Sequence, residues 1–260
     1  MAEREKIFPV ILAGGFGVRT QGILEGKPKA LIKSSDGKTL LEHLLCDLEK
    51  SGFESALIVS NHKFYDKFLD HLKELGEKDL KISTTLINNG VDDPEKRLGA
   101  LGDFLFGVES PNLESWNGSF LVLSSDYAYW KAFKIGDFIE FANKAENRDC
   151  FLTVVRDTGD PAVIKGRFGC PEVDENGLII SFEEKPENPK GTLAILAFYL
   201  FRPIHVNSLK EFKGEGGNLD SPSNIIPYFL KKGVRASVFI VGNEAVDAGT
   251  PQEIDKARNY

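Results

Sequence analysis

The sequence predicts an α/β fold built on a mostly parallel sheet, and three observations carry that prediction. Short apolar runs alternate with helical patterns through the first half of the chain, the signature of βαβ units. The first apolar run, Phe8–Leu12, passes directly into the glycine-rich stretch Gly14-Gly15-Phe16-Gly17. From about residue 150, strand-like runs follow one another with little helix between them, which adds antiparallel strands to the parallel core. The expected architecture is three-layered and Rossmann-like, a single domain over residues 1–260 with a small antiparallel β extension.

Each element has its own signal. After the first strand, a helix starts at Thr39, which forms a capping box with Glu42. Its Leu40, Leu41, Leu44, Leu45 and Leu48 fall on one face, and Gly52 stops it. Ala56–Ser60 is the next strand, and Phe64, Phe68, Leu72 and Leu75 mark a second amphipathic helix ended by Gly76. Lys81–Ile87 reads as a third strand and Ser119–Ser124 as a strongly apolar central one. Strands at 151–155, 170–174, 178–183 and 194–201 follow, with Asn176-Gly177 as a two-residue hairpin turn. A helical segment from Ser221 to Lys232, a strand at Arg235–Val241 and a helix from Thr250 close the chain.

Bulk properties narrow the function. The chain has 260 residues, 42% hydrophobic and 27% charged, as in an ordinary globular protein. No apolar run approaches the ~20 residues needed to span a bilayer, so no membrane partner is expected. Cys46, Cys150 and Cys170 are isolated and lack metal-ligand spacing, which points to a reduced, cytoplasmic protein. A formal charge of −7 argues against a nucleic-acid partner but leaves a small anion open, provided a few cations converge on it.

The segment Leu12-Ala13-Gly14-Gly15-Phe16-Gly17-Val18-Arg19 follows the first strand. Glycines there let the backbone approach a ligand, and successive N–H groups can cradle phosphate oxygens. A dinucleotide-binding G-x-G-x-x-G frame opened at Gly15 fails at Thr20, and no Gly-Lys-Ser/Thr follows for a P-loop. Glycines alone would usually mean a turn. The cations that follow, Arg19 and then Lys29 in Lys27-Pro28-Lys29-Ala30-Leu31, add a means of offsetting charge on a triphosphate.

These two stretches together resemble the sugar-phosphate nucleotidyltransferase family, whose opening signature is L-A-G-G-x-G-x-R followed by P-K-x-L. The resemblance implies a GT-A-like nucleotidyltransferase fold, a nucleotide-binding part over about residues 1–150 and an acceptor-binding part over about 151–260. It implies that Leu12, Ala13, Gly14, Gly15 and Gly17 with Arg19 hold the triphosphate of a nucleoside triphosphate, and that Lys29 assists at the reacting phosphates. Arg97 and Gly99 match the segment beneath the base, although a helix start with an exposed arginine reads equally well.

Asp126 ends the central strand, where open α/β sheets place ligand sites, and a helix cap or loop residue would read equally well there. In Asp247-Ala248-Gly249-Thr250-Pro251, Thr250, Pro251 and Glu253 start the last helix and leave Asp247 over. By resemblance the two aspartates hold Mg²⁺, a cation suited to two carboxylates plus substrate oxygens. Ser125 stands where the family often has glycine.

On the acceptor side, Glu183-Glu184-Lys185-Pro186 would by composition be a solvated strand end. It matches the family's E-K-P motif, so that Glu184 is expected on sugar hydroxyls, Lys185 on the acceptor phosphate and Gly169 against the ring. Leu196-Ala197 replaces a Thr-Gly pair that relatives often use on the sugar, which predicts a tighter, less polar pocket. The expected activity is magnesium-dependent transfer of a nucleoside monophosphate to a small phosphate, a sugar 1-phosphate first among them, with Arg19, Lys29 and Lys185 as its cations. A noncatalytic regulatory protein of the same fold and a glycosyltransferase are the alternatives. Family members often assemble, so a homo-oligomer is among the expectations.

Overall fold

A computed structural model describes residues 5–77 and 80–260; the side chains of Arg19 and Gln21 lie outside the described part. In chain order the elements are β1 (Ile7–Ala13), α1 (Gln21–Leu24), α2 (Leu40–Lys50), β2 (Ser55–Ser60), α3 (Tyr65–Gly76), β3 (Ser83–Asn88) and α4 (Ala100–Val108). Then come β4 (Ser119–Ser124), β5 (Tyr127–Ala128), α5 (Ile135–Ala142), β6 (Phe151–Asp157), β7 (Cys170–Val173), β8 (Ile179–Glu183) and β9 (Leu193–Phe201). The chain closes with α6 (Pro203–Gly214), α7 (Ile226–Lys231), β10 (Ala236–Val241), β11 (Val246–Asp247) and α8 (Pro251–Arg258).

The main sheet has seven strands in the order β10-β6-β9-β4-β1-β2-β3. β1 and β2, β2 and β3, and β10 and β6 run parallel, whereas β6 and β9 are antiparallel. Two small antiparallel sheets, β7–β8 and β5–β11, complete the expected mostly parallel α/β fold with its β extension. The central strand β4 is buried from Ser119 to Leu123, on both of its faces, as in a covered parallel sheet.

The described residues form two compact units. One takes the chain through Ile7, Asn117–Val122 and Asp137–Asn243; the other takes Phe8–Trp116, Leu123–Gly136 and Glu244–Tyr260. The second carries the glycine-rich segment, Lys29, Asp126 and Asp247, and the first carries Gly169, Glu184 and Lys185.

Local signals mostly held. Thr39 Oγ1 accepts the backbone N–H of Glu42 at 3.1 Å, and the five leucines of α2 are buried. Each such leucine contributes up to about 2 kcal/mol by leaving water. The helix expected from Ser221 begins instead as a 3₁₀ turn, Pro222–Ile225, before α7, because Pro227 cannot donate into a continuous ladder. The Asn176-Gly177 hairpin is a three-residue loop rather than two. Asp174 N–H donates to Leu178 C=O, the Asp174 carboxylate accepts N–H groups from Asn176 and Leu178, and Gly177 sits at φ +77°. A turn followed by a left-handed glycine is the standard three-residue solution.

α5 and α6 carried no sequence expectation. α6 is capped in an unusual way: His205 Nδ1 accepts the Arg202 backbone N–H at 3.1 Å, with Pro203 at the first turn. Burial, aided by the nearby Arg202 charge, pushes the His205 pKa down to about 3, so the ring is neutral and packs edge-on to Phe151.

Candidate active site

In the unit of the glycine-rich segment, β1 delivers the chain into a loop whose glycines have separate reasons. A side chain on Gly14 would put its Cβ 2.1 Å from Asp103 Oδ2, so only glycine fits there. Gly14 C=O accepts from Asn61 Nδ2 at 2.9 Å, and Asn61 Oδ1 accepts the Phe64 N–H. Gly17 is left-handed at φ +61°, and its C=O accepts both the N–H and the hydroxyl of Thr20. Gly15 is open, with nothing within 4 Å of where its Cβ would stand. Arg19 lies in the 3₁₀ turn Val18–Thr20; its side chain is outside the described part.

Asp103, on α4, is buried below this loop. Burial pushes its carboxyl pKa up to about 6, against the hydrogen bond it accepts from Asn89 Nδ2 at 2.7 Å. Asp103 thereby ties two stretches expected to hold nucleotide: the glycine loop, through Gly14, and the 88–100 segment, through Asn89. Gly99 starts α4 at φ +78°, a conformation few other residues adopt. Arg97 is exposed, with Nη1 donating to Pro94 C=O at 3.3 Å.

The lysine and the strand-end aspartate meet. Pro28 is extended and turns the chain into the 3₁₀ segment Lys29–Leu31, from which Lys29 Nζ reaches Asp126 Oδ2 at 3.0 Å. The Ser124 hydroxyl donates to Asp126 Oδ1 at 2.6 Å, so both carboxylate oxygens are engaged. Burial would raise the Asp126 pKa, but the Lys29 ammonium and the Ser124 hydroxyl outweigh it and hold the group ionised, below the usual range. Ser125, in the place of the family's glycine, donates its hydroxyl to Leu12 C=O at 2.9 Å. That bond fastens the Asp126 loop to the start of the glycine-rich segment.

Asp247 lies beside Asp126. β11 pairs with β5 so that Asp247 opposes Tyr127, and Ala248 N–H donates to Asp126 C=O at 3.0 Å. Thr250 caps α8 as expected, accepting from Glu253 N–H. Among the described residues no cluster of three or more His, Cys, Asp or Glu side chains forms. Two aspartates on adjoining backbone, offering oxygen-only chemistry, fit Mg²⁺, which commonly takes one or two carboxylates and completes its shell with water and phosphate oxygens.

In the other unit, β8 ends at Glu183 and the next two residues are Glu184 and Lys185. Lys185 is at φ +48°, one of two described non-glycine residues with positive φ. The other, Glu25, ends α1, where a left-handed residue is ordinary. Lys185 ends no helix. Its Nζ lies 3.7 Å from Glu184 Oε1, and Ser223 donates to Glu184 Oε2 at 2.6 Å. A Cβ on Gly169 would stand 2.7 Å from the Phe182 ring and 3.1 Å from Glu184 Oε2, so glycine is needed there for these two side chains to pack. Leu196 is fully buried in β9 and Ala197 half-buried, which leaves Ala197 as the member of that pair nearer to solvent.

The structure thus groups Lys29 with Asp126 and Asp247, and Glu184 with Lys185 and Gly169. Sequence reasoning missed Asn61, Asn89, Asp103 and Ser223. For Asn61 the signal was a polar residue directly after a buried strand; Asp103 lies inside an apolar helix, itself unusual for a carboxylate.

The chain is similar to several known proteins. A glucose-1-phosphate adenylyltransferase from Mycoplasma mobile is 24% identical over 257 residues, covering 95% of this chain and 65% of that protein. Its counterpart from Acetivibrio thermocellus is 32% identical over 134 residues, 51% of this chain and 30% of that one. The chain therefore spans less than two thirds of the length of these curated relatives. A crystal structure described as a glucose-1-phosphate thymidylyltransferase from Bacillus anthracis, complexed with sucrose, superposes with a TM-score of 0.74 at 21% identity, over 97% of this chain and 94% of that one. A UDP-glucose pyrophosphorylase complexed with UDP-glucose gives 0.73 at 18%, over 97% of each chain. These likenesses establish the fold. The family model for nucleotidyl transferases matches residues 8–260, nearly the whole chain, and the protein belongs to the nucleotidyl transferase family.

Proposed function

We propose that this chain transfers a nucleoside monophosphate from a nucleoside triphosphate to a sugar 1-phosphate, or a related small phosphate, with release of pyrophosphate. The observation that carries this reading is the meeting of Lys29 with Asp126 at 3.0 Å, beside the glycine loop and next to Asp247. These residues lie far apart in sequence, and a purely structural fold has no need to collect an ammonium and two carboxylates there. The names of the relatives support a sugar 1-phosphate as acceptor.

In this reading an acceptor phosphate oxygen attacks the α-phosphorus in line. The new P–O bond forms as the α–β bridging bond breaks, and the electron pair leaves with pyrophosphate. The attacking oxygen is already ionised, so no side-chain base or nucleophile is required. The glycine-loop N–H groups and Arg19 bind the triphosphate, and Lys29 offsets charge as pyrophosphate departs. Lys185 holds the acceptor phosphate and screens its repulsion from the α-phosphate, while Glu184 takes acceptor hydroxyls. Asp126 and Asp247 would hold Mg²⁺, which when bound supplies positive charge against the phosphates.

The test is a pyrophosphate-release matrix crossing the common nucleoside triphosphates with sugar and alcohol phosphates, with and without Mg²⁺. One productive pair that needs metal is the expected result. Lys29→Ala then loses about 100-fold or more in rate; a variant turning over at the parent rate would refute the assignment.

A further inference from the structure

We propose that Ser223 is a positioning residue for the acceptor, holding Glu184 in the one orientation in which its carboxylate can receive acceptor hydroxyls. The proposal rests on the reading of Glu184 and Lys185 as the acceptor-binding pair. Ser223 is buried, at the start of α7's leading 3₁₀ turn, and it is the hub of a polar network. Its Oγ lies 2.6 Å from Glu184 Oε2 and 2.8 Å from Ser221 Oγ.

A serine hydroxyl has one proton and two lone pairs, and an ionised carboxylate only accepts. The Ser223 proton therefore goes to Glu184, and Ser221 Oγ–H donates to Ser223 Oγ. The direction of the Ser223 hydroxyl is thereby fixed. Glu184 Oε2 is anchored on the side where Gly169 lacks a side chain, and Oε1 faces Lys185 Nζ at 3.7 Å. The carboxylate of Glu184 is thus held with lone pairs to spare for a ligand, beside the ammonium that would bind the acceptor phosphate. This suits an acceptor with a hydroxyl close to its phosphate, as in a sugar 1-phosphate, better than a bare alkyl phosphate.

Assayed by pyrophosphate release with glucose 1-phosphate, or whichever phosphate of the panel turns over, Ser223→Ala should raise the acceptor KM about tenfold or more. That is the size of one charge-assisted hydrogen bond. The nucleotide KM should stay within about twofold, and Ser223→Thr, which keeps the hydroxyl, should restore the acceptor KM. Ser221→Ala removes a donor to Ser223 without touching the Ser223–Glu184 bond; it should leave the acceptor KM alone. An unchanged acceptor KM in Ser223→Ala, or an equal rise in Ser221→Ala, overturns the proposal and leaves Ser223 a packing residue. A substrate-free check is the urea midpoint of Ser223→Ala, Glu184→Gln and the double variant: coupling supports the linkage and additivity refutes it. If Lys185→Ala leaves the acceptor KM untouched, the acceptor reading itself fails, a result distinct from any of these.

Discussion

Replacing Lys185 by glycine should make the protein more stable and inactive at once. A residue with a Cβ in the left-handed region costs about 1–2 kcal/mol that glycine does not. Glycine gives back about 0.5–1 kcal/mol through the greater entropy of its unfolded chain. At φ +48° the net gain for Lys185→Gly is then about 0.5–1 kcal/mol. Lys185→Ala keeps the backbone cost and loses only the pair with Glu184. That pair is 3.7 Å apart with the lysine side chain half exposed, so its loss matters little to stability. Alanine should therefore sit near the parent and glycine above both, with Tm raised by about 1–4 °C in a chain of this size.

Activity should behave otherwise. Both variants lack the ammonium, and pyrophosphate release should fall in each by a similar factor, about 100-fold or more. Differential scanning calorimetry and the release assay together separate the two effects. If glycine is no more stable than alanine, the left-handed backbone is not a cost borne at this position. If either variant keeps the parent rate, Lys185 does not act on the acceptor phosphate and its conformation has another cause.

Two further outcomes follow from the nucleotide side. Because the Lys29 ammonium sits 3.0 Å from Asp126 Oδ2, a divalent cation bound at Asp126 works against that like charge. Lys29→Met should accordingly show a larger rise in Tm on adding Mg²⁺ than the parent does, by the logic of linked binding; equal shifts would refute the competition. Asp103, raised to about 6 from an ordinary 3.8, binds its proton more tightly folded than unfolded. Its contribution, about 3 kcal/mol, is present below about pH 4 and is lost as pH rises to about 6. Asp103→Asn should therefore gain stability relative to the parent across that window, read as urea midpoints at several pH values, and a pH-independent difference would sink the argument.

How much was legible beforehand depended on where the physical cause resides. β1 and the glycine segment, the Thr39 cap and the five α2 leucines were readable because the determinants sit within a few residues of one another. α6 was not. Its N-terminus is closed by a histidine ring nitrogen rather than by Ser, Thr, Asp or Asn, and that cap works only because burial keeps His205 neutral. The Asn176-Gly177 turn was placed correctly but one residue short, since the deciding group is the Asp174 carboxylate, which binds two N–H groups ahead of it.

The candidate site divides along the same line, and the division has a chemical reason. Transfer of a nucleotidyl group needs no side-chain nucleophile; it needs cations and N–H groups placed against phosphates. Motif stretches such as Gly14–Gly17, Pro28-Lys29 and Glu184-Lys185 can supply those groups locally, so they survive as readable words. What holds each group in place comes from elsewhere in the chain: Asp103 and Asn61 against Gly14, Ser125 against Leu12, Ser223 against Glu184. A serine or asparagine in such a role has no spacing to betray it, because its partner is set by the fold and not by the sequence distance. The groups proposed to touch phosphate are therefore the legible part of this candidate site, and the groups that would aim them are visible only once the chain is folded.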